Sequence, residues 1–308
     1  MRIIFAGSPA TAIPSLDRLI QDHEVIAVLT RPPAPVGRKK ILTPSAVDDA
    51  ARSRAIPVLT PSSLRNPDVE QQLIDLAPDA IAVVAYGLLI PENLLSVPRY
   101  GWINLHYSLL PRWRGAAPVQ YAIAAGDQTT GTSVFQIETG LDTGPVFDVE
   151  EVAIGRQTSG ELLTQLSQSG AHQLARVLTA IEEGNANAVP QEGEVTVAPQ
   201  LSASDAYIDF SWDAAKIDAH IRAYTPQPGP WALRDGQRVK LGPVTITDVT
   251  DIPAGHIVMG KRVLVGSATT ALELSTVTPA GKKMMAASDW VRGLGAQTLS
   301  FDVEGVQL

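Results

Sequence analysis

An amide and an imidazole stand two residues apart in the run Asn104-Leu-His-Tyr-Ser-Leu-Leu-Pro-Arg-Trp-Arg-Gly115. Ile103, Leu105 and the apolar residues before them predict a strand, and on a strand positions two apart project from the same face. Pro111 and Gly115 then break the chain into a loop before Ala116–Ala125 resumes a helical composition. Side by side, Asn104 and His106 could both donate hydrogen bonds to one oxyanion, and the imidazole could also carry a proton. Further along comes Glu138-Thr-Gly-Leu-Asp142-Thr-Gly-Pro145, with two glycines and a proline around one aspartate. That composition predicts a tight turn between the apolar runs 132–137 and 145–154. A carboxylate there could reach back to His106 and complete an acyl-transfer constellation of Asn104, His106 and Asp142. On pattern alone, a histidine at a strand end is more often simply satisfied in the core. An aspartate among glycines more often only shapes a turn.

The elements that must hold these residues read as an α/β domain. Residues 2–6 form a short apolar run ending at Gly7-Ser-Pro, 10–20 have helical spacing, and 24–30 are again apolar and β-rich. This βαβ opening predicts a Rossmann-like, mostly parallel sheet. A dinucleotide site is disfavoured, because Ser, Pro, Ala, Thr and Ala follow Gly7 in place of further glycines. Residues 31–44 form a Pro-rich loop with the basic cluster Arg38-Lys39-Lys40, read either as a solvated surface loop or as a semi-rigid arm presenting cations to phosphates. Thr43-Pro44 starts a predicted helix to about residue 54, and 56–59 read as a short strand. Asn66 is the expected N-cap of a helix over 66–76. Residues 80–85 and 101–106 are the next strands, and Tyr86–Pro91 leave the first of these at its carboxyl end, where ligands bind in open α/β sheets. A long helix is expected over 158–183, with Gly170 as an inconsistency inside it.

From residue 185 the texture turns polar. Residues 1–189 are expected to form the catalytic domain, 190–205 a linker, and 206–308 a second domain. In the latter, a helix over 212–222 precedes short strand-like runs split by Gly, Pro and Asp turns, which predicts a small OB-fold-like β-barrel.

Composition narrows the function classes. The 308 residues carry a net charge of −8, which disfavours a nucleic-acid partner unless a local basic patch supplies the contact. There is no cysteine, so disulfides, thiolate metal sites and cysteine nucleophiles are excluded. The first apolar run is too short for a signal sequence and no apolar stretch is long enough to span a membrane, so a cytoplasmic protein without membrane association is expected. A monomer is the default expectation.

The long motif Asn-x-His-x-Ser-Leu-Leu-Pro-x-x-Arg-Gly, followed by Gly-Leu-Asp-Thr-Gly, resembles that of the 10-formyltetrahydrofolate-dependent formyltransferases. The likeness runs over nearly the whole chain. Phe5-Ala-Gly-Ser-Pro9, Gly37-Arg-Lys-Lys-Ile-Leu-Thr-Pro-Ser45, Ala85-Tyr-Gly87, Arg112–Gln120, Arg222-Ala-Tyr-Thr-Pro-Gln-Pro-Gly229, Gly281-Lys-Lys-Met-Met-Ala286 and Asp289-Trp-Val-Arg-Gly293 are similar to family members whose acceptor is a methionine-charged tRNA. Three places depart from the pattern: the loop opening Arg31-Pro-Pro-Ala-Pro35, Gln227 in place of tryptophan, and Tyr107 in place of a small residue.

The resemblance implies transfer of the formyl group of 10-formyltetrahydrofolate, a folate co-substrate, to the α-amine of methionyl-initiator tRNA, with no metal. It implies that His106 and Asn104 bind the oxyanion, and that Asp142 favours the imidazolium and relays protons. Ser108, Leu109, Leu110 and Pro111 match the segment that lines the folate site, and Leu88 and Leu89 are candidates for the same wall. Arg38, Lys39 and Lys40 would hold tRNA phosphates, with Arg234, Arg238, Lys240, Lys282 and Lys283 as weaker candidates. A formyltransferase acting on a nucleotide-linked amino sugar shares the catalytic set but has less reason for the basic loop. The purine-pathway glycinamide ribonucleotide formyltransferases are usually much shorter. A non-catalytic RNA-binding module is the alternative from another class, and folate binding would separate it.

Overall fold

The apolar residues Ile3 to Ala6 are wholly buried inside β1 (Arg2–Gly7), as expected for a strand covered on both faces of a parallel sheet. The computed structural model describes residues 1–37, 39–295 and 299–303. After β1, helix α1 (Ile13–Asp22) leads to β2 (Glu24–Leu29), which pairs in parallel with β1. Helix α2 (Ala46–Ser53), β3 (Val58–Leu59), α3 (Pro67–Leu76) and β4 (Ala80–Val84) follow. Asn66 caps α3, its Oδ1 accepting from the Asp68 amide at 3.0 Å. Helix α2 starts later than its proline suggested. Ser45 is the cap, with Oγ accepting from the Asp48 amide at 3.0 Å, and Pro44 stays outside the helix.

Three further strands complete the sheet: β5 (Trp102–His106), β6 (Thr129–Gln136) and β7 (Val146–Ala153). The order across it is β7-β6-β5-β4-β1-β2-β3. Strands β1 to β5 pair in parallel, and β6 runs antiparallel to both β5 and β7. The sheet is therefore mostly parallel, with an antiparallel edge beside the strand that carries Asn104 and His106.

The long helix α4 (Ser159–Glu182) explains its own glycine. A Cβ at Gly170 would lie 2.9 Å from Cδ2 of Leu105. Leu105 points away from the face shared by Asn104 and His106, so the glycine lets the helix close against the back of β5.

The chain divides into two compact units. The first comprises Met1–Pro118, Thr129–Ala153 and Leu163–Pro199, and the second Val119–Gln128, Ile154–Leu162 and the residues from Gln200 onward. Much of the polar stretch read as a linker thus belongs to the first unit. Val197–Ala198 pair in parallel with Arg114–Gly115, and the amides of Ala116 and Ala117 both donate to the Ala198 carbonyl at 2.8 and 3.1 Å. The stretch is polar and unpatterned because it satisfies the backbone of a loop rather than burying a face.

In the second unit the short strands form two four-stranded antiparallel sheets. One joins 231–234, 237–241, 276–279 and 285–286, and the other 244–246, 272–274, 263–265 and 257–259. A shared apolar core includes Phe210, Trp290 and Phe301, with ring centroids 4.9 Å apart for Phe210–Phe301 and 5.7 Å for Trp290–Phe301. Asp213 caps the helix Ala214–Ala223 through the Lys216 amide at 2.7 Å. Nearly buried Asp218 is neutralised by Arg156 at 2.7 Å and Arg222 at 2.9 Å, which removes the cost of an unpaired buried charge. No helix among the described residues is long and apolar enough to cross a membrane.

Candidate active site

His106 ends β5, and its two nitrogens have different surroundings. Nε2 lies 2.9 Å from the carbonyl oxygen of Trp113. A carbonyl can only accept, so Nε2 carries a hydrogen and donates it. Nδ1 is then the nitrogen left for chemistry, and it lies 3.8 Å from Oδ2 of Asp142. The ring is steadied edge-on by Phe135, with centroids 6.3 Å apart and planes at 85°. Asn104 is half-buried on the same strand face, and its side-chain amide has no hydrogen bond among the described residues. An amide placed this way is free to donate to a ligand.

Asp142 is held in three ways. Its Oδ2 accepts from the Gly115 amide at 2.7 Å, and its own carbonyl accepts from Nε2 of Gln191 at 2.8 Å. Its backbone has φ 51°, the left-handed region, so the turn must be tied down to keep it there. Gly144 is one such tie, because a Cβ there would collide with the carbonyl oxygen of Gln136. Replacing Gly144 with alanine is expected to lower stability by about 1–3 kcal/mol, the usual cost of overpacking. Chemical denaturation reads this directly, and an unchanged midpoint would mean that the turn relaxes around the methyl group.

The loop after His106 is organised by two serines. Ser108 is wholly buried, and its hydroxyl donates to the Arg112 carbonyl at 2.6 Å. Ser133 Oγ donates to the Ser108 carbonyl at 2.7 Å and accepts from the Leu110 amide at 3.1 Å. Ser108 therefore shapes the loop rather than presenting its hydroxyl to a ligand. Leu109 and Leu110 are half-buried, Pro111 is buried, and Leu109 lies over Gly131. Leu88 packs against the core cluster that contains Tyr86 and Trp102, whereas Leu89 is 75% exposed and stands apart from it. A cavity of about 560 Å³ opens beside the stem of the Asp142 turn, lined by Glu92, Leu95, Ser96, Ile137, Glu138 and Pro145 among others.

The basic residues are distributed unevenly. The Pro-rich loop is a two-stranded antiparallel hairpin, Ala34–Val36 with Ile41–Thr43. Lys39 and Lys40 are exposed at its tip, and Arg38 lies outside the described residues. In the second unit Arg234 pairs with Asp235 at 2.9 Å, Arg238 sits 4.0 Å over the Trp231 ring, and Lys240 donates to the Pro228 carbonyl at 3.1 Å. These three are occupied within the protein, while Lys282 and Lys283 are exposed.

Several residues that build the site carry no signal in the sequence. Gln191, Thr196 and Ser133 each bond across long separations to the loop or the turn. Nothing in local composition distinguishes them from solvated polar residues. Among the described residues, no cluster of three or more His, Cys, Asp or Glu is arranged to hold a metal ion.

The family model described as formyl transferase matches residues 1–178, and the model of the formyl transferase C-terminal domain matches residues 200–295. The chain belongs to the formyl transferase family. Among its formyl transferase relatives, the methionyl-tRNA formyltransferase of Arthrobacter sp. (strain FB24) is 53% identical over 297 residues, covering 95% of this chain and 97% of the relative. The fold is shared with the N-formyltransferase of Helicobacter canadensis, whose structure contains folinic acid and dTDP-3-aminofucose, at a TM-score of 0.69 and 15% identity, covering 90% of this chain and 99% of that one. It is also shared with HypX from Aquifex aeolicus bound to tetrahydrofolic acid, at a TM-score of 0.65 and 17% identity. That match covers 95% of this chain, which spans only 47% of HypX.

Proposed function

We propose that this formyl transferase moves the formyl group of 10-formyltetrahydrofolate to the α-amine of methionine on initiator tRNA, acting in the cytoplasm as a monomer. The observation that carries this reading is the 53% identity to a methionyl-tRNA formyltransferase over 95% of the chain. The geometry of the first unit supplies a consistent mechanism. The amine attacks the formyl carbon, the bond to N10 breaks, and an oxyanion forms in between. Asn104 donates to that oxygen through its side-chain amide. His106, carrying a hydrogen on each nitrogen at that stage, donates to it through Nδ1 while Nε2 donates to the Trp113 carbonyl. Asp142, 3.8 Å from Nδ1, relays the proton lost by the amine toward N10.

The folate would enter beside the Asp142 turn. We assign the pterin to the cavity lined by Glu92, Leu95, Ser96, Ile137, Glu138 and Pro145, and Leu88, Leu89, Leu109, Leu110 and Pro111 to apolar contacts with the rest of the folate. Ser108 contributes by holding the loop. We assign the first unit to catalysis and the second to support of the tRNA.

Lys39 and Lys40, exposed at the tip of the hairpin, bind phosphates in this reading. Replacing Lys39 and Lys40 with alanines is expected to weaken charged-tRNA binding and lower the slope of log affinity against log salt by about 1–2, at roughly 0.9 for each phosphate no longer neutralised. Folate binding should not change. An unaltered slope would remove the hairpin from the interface.

The function is tested by offering labelled 10-formyltetrahydrofolate with charged initiator tRNA, charged elongator tRNA and a nucleotide-linked amino sugar in parallel. Label on the initiator tRNA alone is expected. Label on the sugar alone would replace this reading with the sugar branch of the family.

A further inference from the structure

Gln191 uses every hydrogen-bonding position of its side-chain amide. Nε2 donates to the Asp142 carbonyl at 2.8 Å and to the Gly144 carbonyl at 2.9 Å. Oε1 accepts from Nε of Arg114 at 3.1 Å and from its Nη2 at 2.7 Å. An amide offers two N–H groups and two lone pairs, so none is left over. The orientation is also fixed, since a flipped amide would set oxygen against two carbonyls and NH2 against a guanidinium.

Both carbonyls belong to the turn that holds Asp142 in the left-handed region at φ 51°. A residue with a Cβ enters that region at a cost, modest for aspartate, that surrounding bonds offset. Gly115, next to Arg114, donates its amide to Asp142 Oδ2 at 2.7 Å. The Arg114–Gly115 segment therefore meets the turn twice, at the carboxylate directly and at the peptide through Gln191. The same segment is itself anchored, because the Arg114 amide donates to the Thr196 carbonyl at 2.9 Å.

On the formyl-transfer reading above, we propose that Gln191 is a positioning residue for Asp142. It clamps the turn so that the carboxylate faces Nδ1 of His106, and it touches neither substrate. The competing role for Gln191 is merely to cap the Arg114 guanidinium.

Two variants separate these roles. Gln191→Ala removes the whole clamp. Gln191→Glu keeps acceptors for Arg114 but has no N–H for the two carbonyls. The clamp predicts that both lower kcat by about 10–100-fold, the scale of a small misplacement of a reacting group, while KM for charged tRNA and for the folate donor stays within about twofold. It also predicts that amide exchange at Gly115 speeds up at least about tenfold in both variants, while the Leu105 amide, deep in β5, stays protected and reports an intact fold. Wild-type kcat in the Glu variant, or full protection at Gly115 in both, would overturn the assignment. Exchange is read without substrates, so it decides the clamp independently. An inactive wild-type protein would instead count against the formyl-transfer reading.

Discussion

Replacing His106 with alanine is expected to lower kcat for formyl transfer by about 10²–10³-fold, and replacing Asn104 with alanine by a similar factor, the usual effect of deleting one oxyanion donor. Each factor corresponds to about 3–4 kcal/mol of transition-state stabilisation. The effect belongs in kcat rather than KM, because the charge these groups are proposed to stabilise exists only in the tetrahedral state. Two features make the test clean. Asn104 has no side-chain hydrogen bond among the described residues, so its removal strands no protein partner. His106 gives up one bond to the Trp113 carbonyl, whose cost to the fold can be read separately from the unfolding midpoint. Initial rates at saturating folate and charged tRNA provide the comparison. Near-normal turnover in either variant would remove that side chain from the oxyanion site.

The second large effect is expected at Asp142. Asp142→Asn should lower kcat by about 10²–10⁴-fold, the range for loss of a positioned acid–base group. Asparagine is nearly isosteric and keeps an oxygen for the Gly115 amide, so the turn and the loop should persist. What disappears is the negative charge 3.8 Å from Nδ1 of His106. That charge is the proposed acceptor of the proton given up by the amine. Asp142→Ala should cost at least as much, since it also leaves the Gly115 amide without its acceptor. Single-turnover rates with preformed enzyme–folate complex isolate the chemical step. If the asparagine variant matched the wild-type rate, the carboxylate would be a turn-former and no more.

Much of this architecture is legible in the sequence, and the reasons are local. The alternation of a short apolar run, a helical spacing and another apolar run announces β1, α1 and β2. Asn66 before Pro67 marks the start of α3 through a cap that needs only adjacent residues. The shared face of Asn104 and His106 follows from the two-residue period of a strand, and the Asp142 turn from its flanking glycines.

The rest depends on bonds between distant residues. Gln191 acts 49 residues from Asp142, and the Thr196 hydroxyl accepts from the Trp113 amide 83 residues away. Such bonds impose no periodicity, so the segment reads as a linker when it is part of the scaffold. The hairpin at 34–43 is hidden for a different reason. Its strands are only three residues long and exposed throughout, and one of them carries Pro35, so nothing distinguishes them from an irregular loop. Gly170 looks like a flaw in its helix because the residue it accommodates, Leu105, lies on another element.

That Asn104, His106 and Asp142 act as one unit on a single carbonyl is tested most directly by a double-mutant cycle between His106 and Asp142. The measurement is the single-turnover rate of formyl transfer to methionyl-initiator tRNA for wild type, His106→Ala, Asp142→Asn and the pair. Because the carboxylate is proposed to act partly through the imidazole, the double variant should lose clearly less than the product of the two single losses. Two losses that multiply in full would show that the residues act independently, and would contradict the constellation.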